Sequence, residues 1–221
     1  MVTNKDLKEE SRVKVLETSD HRVMAVLTPQ LAEKAGLYHQ DKMSESIFRQ
    51  KLKKADIILY DADYVFYFSD TEKNVLMQEK SEGALRELTK EGDETVFSEF
   101  QSSAPEQDLG STYVELEHWL VFGAFEHEHL VSAASMYPWS NAQIADIGVL
   151  TLEAFRGKGY ARKVVRAMSK HAYMQGYEPQ YRCQLDNHAS LAVAKAVILQ
   201  VGRNFSGLTA LMEIIPMMGS E

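Results

Sequence analysis

Apolar positions along this chain change their period several times, and each change predicts an element. In TPQLAEKAG, residues 28–36, Thr28 stands as an N-cap, Pro29 fits the first helical turn and Gly36 supplies a stop, so a short helix is expected. Ile47, Phe48, Lys51, Leu52 and Ala55 recur at helical spacing behind the cappers Ser44 and Ser46, which predicts a second helix. DIILY and YVFYFS then read as strands around Asp61-Ala62-Asp63. The polar segment SDTEKNVLMQEKSEG, residues 69–83, carries little periodicity. It is expected to close an N-terminal accessory α/β unit, residues 1–82, ahead of a second domain, residues 83–221.

From Ala84 the pattern predicts a short strand ALREL, a helix around Gly92 to Ser102, and a loop containing APEQDLG. WLVFGAFE and HLVSAASMY are apolar, β-branched and aromatic runs joined at residues 126–129, a hairpin that Pro138 closes. IADIGVLT is the next strand. After the glycine-rich stretch RGKGYA, Ala161, Val164, Val165, Met168 and Ala172 mark one apolar helical face. Arg162, Lys163, Arg166 and Lys170 lie largely on the others, and Gly176 ends the helix. QYRCQL reads as a strand, Asn187 opens an Ala-rich helix to about Leu199, and NFSGLTALMEII supplies closing strands. This order describes an α+β domain, a mixed central sheet flanked by helices.

Composition narrows the function. At 221 residues the chain can bury a core without disulfides or metals. A net charge of −8 speaks against a general nucleic-acid or anionic-membrane role, so any basic site must be local. The single Cys183 has no internal disulfide partner, and MVTNKDLKEE offers no apolar signal core, so a cytoplasmic setting is expected. No window approaches the length of a membrane span. Cys183 lies in an apolar-polar strand and reads as core rather than nucleophile.

The one local concentration of positive charge is Arg156-Gly157-Lys158-Gly159-Tyr160-Ala161-Arg162, between a strand and a helix. Glycines there let a ligand approach the backbone, and the unpaired N–H groups and positive dipole end of the helix form an anion site, which points to a phosphate-bearing ligand. A tight strand-to-helix turn with solvated cations would explain the composition too. The usual nucleotide motifs fail: GxxxxGK followed by Ser or Thr is absent, and GxGxxG would need glycine where Arg162 stands.

Arg156, Gly159 and Ala161 fit the pattern Arg/Gln-x-x-Gly-x-Gly/Ala of the GNAT superfamily of acyl-CoA-dependent N-acyltransferases, which this chain resembles over roughly residues 84–205. The preceding strand ADIGVLT, the amphipathic helix, the strand YRCQLD, and Asn187 with Ser190 as N-x-x-S follow in the family's order. The resemblance implies that the amides of Gly157, Lys158, Gly159, Tyr160, Ala161 and Arg162 hold the pyrophosphate of coenzyme A. It also implies that Val149, Leu150 and Thr151 pair with the pantetheine arm as an added strand, and that Asn187 and Ser190 touch the coenzyme from the next helix. Asn187 and Ser190 equally suit the opening turn of that helix without any ligand.

The activity implied is transfer of an acyl group, most simply acetyl from acetyl-CoA, to a primary amine on a small molecule or peptide, without a metal. The alternative is a non-catalytic acyl-CoA-binding module. Amine acylation needs a donor aimed at the developing oxyanion and a way to remove a proton. The backbone N–H of Val149 or Leu150 suits the first task, and Asp146, the only ionisable residue of its strand, is the candidate base. The family's frequent glutamate lies one position earlier, at Ala145, so Asp146 reaches the site only through a bulge or a shorter loop. The family's usual tyrosine acid is replaced by Ala194, with Tyr137, Tyr177 and Tyr181 as substitutes or packing residues. Glu115, Glu117 and His118 are read as a half-exposed strand that can line an amine site, and His127-Glu128-His129 as a solvated turn rather than a metal site. Residues 1–82 are expected to roof the amine site, cover a sheet edge or contact a second copy of the chain in a homodimer.

Overall fold

A computed structural model describes residues 1–7, 13–17, 23–37, 44–57, 59, 62–80, 83–139, 142–198 and 209–213. The chain divides into two compact units. The first comprises Met1–Val65, Cys183–Asn187 and Phe205–Glu221; the second comprises Phe66–Arg182 and His188–Asn204.

The first unit contains β1 (Val2–Thr3), β2 (Val13–Glu17), β3 (Val23–Leu27), α1 (Pro29–Lys34), α2 (Glu45–Lys54) and β4 (Asp63–Phe66, its last residue counted with the second unit), completed by a strand near the end of the sequence, Thr209–Glu213. β1 runs parallel to β3, β2 antiparallel to β3, and the late strand lies antiparallel between β2 and β4. Val13, Val15, Ala25 and Leu27 are spaced two apart on their strands and meet Ala32, Leu37, Phe48 and Leu52 in one core. Ser44 caps α2 by accepting from Ile47 N, whereas Thr28 takes the extended cap conformation before Pro29 without a side-chain bond. Gly36 adopts φ +60° and stops α1 as its position predicts. The expected strand DIILY and the tail of NFSGLTALMEII fall partly outside the described residues.

The second unit departs from expectation at once. Residues Asp70–Gln78 of the supposedly patternless segment form a helix, α3. Ser69 accepts from Glu72 N at 3.2 Å, Asp70 and Glu72 sit at the positive end of the dipole, and Leu76 is fully buried. There follow β5 (Leu85–Glu87), α4 (Lys90–Ser102), α5 (Glu106–Thr112), β6 (Leu120–Glu126), β7 (His129–Pro138), β8 (Ile144–Thr151), a 3-10 turn over Glu153–Phe155, α6 (Tyr160–Met174), β9 (Glu178–Gln184) and α7 (His188–Ile198). The late strand of the first unit is β10. Helix α5 replaces the expected loop at APEQDLG: Pro105 precedes it, and Glu106 and Asp108 fill its first turn.

Strands β9-β8-β7-β6-β5 are adjacent in that order, with β8 and β9 parallel and the other pairs antiparallel, so the sheet is mixed and flanked by helices, as expected. Val121 packs with Phe97 and Phe100 of α4, while its neighbour Phe122 meets His171 of α6; successive side chains thus serve opposite faces. Among the described residues no helix is long and apolar enough to cross a membrane.

One glycine in this sheet is there for want of space. A Cβ on Gly148 would lie 2.5 Å from Thr112 O and 2.7 Å from Tyr113 O, because the end of α5 presses its backbone onto β8. Gly148→Ala is expected to lower stability by ~1–3 kcal/mol, as overpacking does, measured by chemical denaturation. An unchanged midpoint would show that the 112–113 backbone moves freely.

Candidate functional site

The glycine loop is held by its own cations. Gly157 and Gly159 take φ +74° and +84°, and a Cβ on either would meet nothing within 4 Å, so the left-handed backbone alone calls for glycine. Arg156 turns back, its Nε donating to Thr151 O at 3.2 Å and its guanidinium pairing with Asp108 at 2.6 Å. Lys158 lies 4.7 Å from the centre of the Phe155 ring and 3.9 Å from Glu126, whose carboxylate also accepts from Tyr160 OH. Arg162 donates to Ala196 O near the end of α7. The first α6 amide with a backbone acceptor is Lys163, bonded to Gly159 O. Among the described residues the amides from Gly157 to Arg162 meet no protein acceptor, and Gly159 offers no side-chain cap.

The neighbouring strand is open on the side away from β7. Leu152 N donates to Val131 O, and Trp139 N to Ile144 O. The β7–β8 ladder runs without a slip from Ser132↔Thr151 to Pro138↔Ala145. Alternation therefore turns the backbone of Asp146, Gly148 and Leu150 toward β7, and that of Ile147, Val149 and Thr151 away from it. Pairing with β9 stops at Ile147↔Tyr181 although β8 continues to Thr151. Thr151 O is taken by Arg156, which leaves the Val149 amide and carbonyl facing the gap. An arc of amides followed by an unpaired strand edge fits an anionic head joined to an extended, amide-bearing arm, the chemistry of coenzyme A.

The ladder runs through Asp146 without the bulge that the family resemblance called for. Asp146 shares one sheet face with Gly148, below the end of α5, whereas Ala145 faces the other side. The carboxylate is buried and engaged. Gln180 Nε2 donates to it, Gln180 Oε1 accepts from Tyr67 OH, and Tyr137 stands opposite it in the ladder. Burial, reinforced by the Asp146 charge, pushes the Tyr137 phenol up to about 12, against a smaller opposing effect of Arg182. Burial and the same charge also raise Tyr67.

Residues 113–119 form a loop and turn rather than the expected strand. His118 Nδ1 lies 2.8 Å from Ser135 Oγ, and the Tyr113, His118 and Tyr137 rings pack with centroids 4.9–5.2 Å apart. Burial pulls the imidazole below its ordinary pKa, opposed by Glu115 and Glu117. Glu117 itself is paired with Lys90 at 2.9 Å.

Of the other tyrosines, Tyr177 packs on Trp119 and Tyr181 OH bonds to Ser190 Oγ at 2.8 Å. Asn187 N donates to Gln184 O in the turn before α7. Ala194 and Cys183 are buried. His127 and Glu128 form the hairpin turn, both with positive φ, and among the described residues no three metal-ligating side chains gather. Sequence reasoning missed Asp108, Glu126, Ser135, Gln180 and Tyr67. Each reaches its partner across a strand pairing or from a distant helix, without a linear signal.

Comparison with known proteins shows the family. The family model for GNAT acetyltransferase matches residues 13–207. A GNAT-family acetyltransferase from Colwellia psychrerythraea has a similar solved structure, with TM-score 0.55 and 17% identity over 91% of this chain and 80% of that one. A putative GNAT-family acetyltransferase from Novosphingobium aromaticivorans gives TM-score 0.49 and 14% identity over 72% and 67% of the two chains. No curated protein sequence matches. With its sheet order and most of its length accounted for, the chain belongs to the GNAT acetyltransferase family and is an acetyltransferase.

Proposed function

We propose that the enzyme moves an acetyl group from acetyl-CoA to a primary amine, on a small molecule or a peptide, by direct attack of the amine on the thioester. The observation that carries this reading is the run of unpartnered amides at 157–162 next to the unpaired β8 edge at Val149. The pyrophosphate sits on the amides from Gly157 to Arg162, in the field of Lys158 and Arg162, with Arg156 bracing the loop through Thr151 and Asp108. The pantetheine arm lies along Val149, Leu150 and Thr151, and Asn187 and Ser190 approach the coenzyme from the start of α7. Val149, whose amide faces away from β7, polarises the thioester carbonyl; Leu150, turned toward β7, does not. The amine proton leaves to the polar face around Asp146, which receives it directly, through water, or through a side chain of that cluster. A cytoplasmic setting suits a sequence whose single cysteine, Cys183, is buried.

Coenzyme A is expected to stabilise the folded enzyme by mass action, by ~2.7 kcal/mol at a hundred times its dissociation constant. Thermal melts with coenzyme A and acetyl-CoA check binding, and release of free thiol from acetyl-CoA with a panel of primary amines checks transfer. No change in melting temperature at millimolar coenzyme A would defeat the reading.

A further inference from the structure

We infer that His118, a residue of the loop between α5 and β6, takes the proton from the attacking amine through Nε2, and that Asp146 is a positioning residue acting behind it through Tyr137. The inference rests on the acetyl-CoA reading above and assigns the base within it. Its first support is place. His118 is anchored on Ser135, the β7 residue opposite Gly148, so the imidazole stands level with the first rung at which β8 has lost its β9 partner. That rung lies between Ile147, the last paired residue, and Val149, whose amide faces the gap.

The second support is how the ring is held. Ser135 Oγ is fully buried and lies 3.4 Å from Glu115 N, from which it accepts a bond. In the tautomer that carries its proton on Nδ1 and donates to the same oxygen, the lone pair is left on Nε2, which meets no partner among the described residues; this is the form that can accept the amine proton. Tyr113 and Tyr137 pack against the ring and limit its rotation. The charged groups around it are Glu115 and Glu117, the latter tied to Lys90, and Asp146 behind Tyr137. The lowered pKa keeps the imidazole neutral, and therefore able to accept a proton, where an ordinary histidine begins to charge.

The third support is that Asp146 is already committed. Its carboxylate is buried and accepts from Gln180, and Tyr137, opposite it in the ladder and raised by burial and by its charge, packs on His118 with ring centres 5.0 Å apart. A carboxylate in that position fixes the tyrosine and, through it, the imidazole.

Bromoacetyl-CoA tests this without knowledge of the acceptor. Neutral Nε2 displaces bromide from the methylene carbon, a C–N bond forms, and the imidazolium releases its Nδ1 proton to solvent. Peptide mass spectrometry at neutral pH should place the adduct on His118, suppressed by excess coenzyme A and absent in His118→Asn. Asp146→Asn should still be labelled at His118. With any amine that turns over, His118→Asn should lower kcat by ~100-fold or more, the scale of general-base catalysis, with coenzyme affinity unchanged. Calorimetric binding of bromoacetyl-CoA that coenzyme A displaces, with His118 unmodified, overturns the inference and leaves the coenzyme site standing. Labelling indifferent to coenzyme A overturns it too. Failure of bromoacetyl-CoA and coenzyme A to bind at all removes the acetyl-CoA reading and this inference with it.

Discussion

Gly159→Asp is expected to cut coenzyme A affinity by at least ~100-fold while the far-ultraviolet circular dichroism stays near wild type. The residue has φ +84° and open space where a Cβ would go, so the Cβ meets no protein atom and the local cost is the left-handed penalty of ~1–2 kcal/mol. The loss comes from charge and competition. A carboxylate at the start of α6 puts a negative charge beside the place proposed for the pyrophosphate. It can also turn onto the amides of the first helical turn, as aspartate does at N-caps, and occupy the donors the ligand needs. Gly159→Ala carries the backbone penalty without the charge and should lose much less. Isothermal titration of both variants separates the two contributions, and wild-type affinity in Gly159→Asp would take the loop out of the coenzyme site.

Arg166→Met is expected to lower the stability of the second unit by about 3 kcal/mol, the lower end of what breaking a buried ion pair costs. Arg166 is 2% exposed and pairs with Glu79 through Nε at 2.9 Å and Nη2 at 2.5 Å. It also donates to Val197 O near the end of α7 and faces Glu72, whose Oε2 has no hydrogen-bond partner among the described residues, at 4.0 Å. Lys170 adds a bond to Glu79 O. Glu79 is about one-third exposed and can return to water, so most of the penalty falls on Glu72 and the orphaned carbonyl. Adding Glu72→Gln and Glu79→Gln should recover part of the loss, since no buried charge then lacks a partner. Urea titration of the single and triple variants measures both, and a loss below ~0.5 kcal/mol for Arg166→Met, the size of an ordinary surface change, would mean the pair contributes little.

Arg166 also shows where sequence reading stops. The 3.6-residue period identified the face of α6 that meets the sheet, and Val164, Val165, Met168 and Ala172 are all buried. It placed Arg166 off that apolar face, and the period cannot report that α3 and α7 cover another flank. Helix α3 was missed for a related reason. Its signal is local, the Ser69 cap and an acidic first turn, on a segment whose apolar residues are too few to show a face. The glycine loop was legible because an anion site of this kind is built from backbone at consecutive positions, where glycine and a helix start declare themselves. The polar face around Asp146 was not. His118 meets Ser135 from 17 residues away and Tyr67 meets Gln180 from 113, distances that only strand pairing closes.

The placement of β10 bears on how this protein is made. The sheet of the first unit has β10 in its middle, Ala210 pairing with Glu17 on one side and Thr209 with Val65 on the other. A ribosome delivers β2 and β4 early, but it must add every residue up to Glu213 before the ladder between them can form. At ordinary translation speeds that wait is roughly 7–30 s. In the interval α1 and α2 can already cover the apolar residues of β2 and β3, while the nascent chain shows two bare strand edges of the kind that recruit foreign strands. Strands β5 to β9 are all synthesised meanwhile, so the unit begun first is the last to be finished, and slow release or a stalled ribosome exposes this end of the protein rather than the glycine loop.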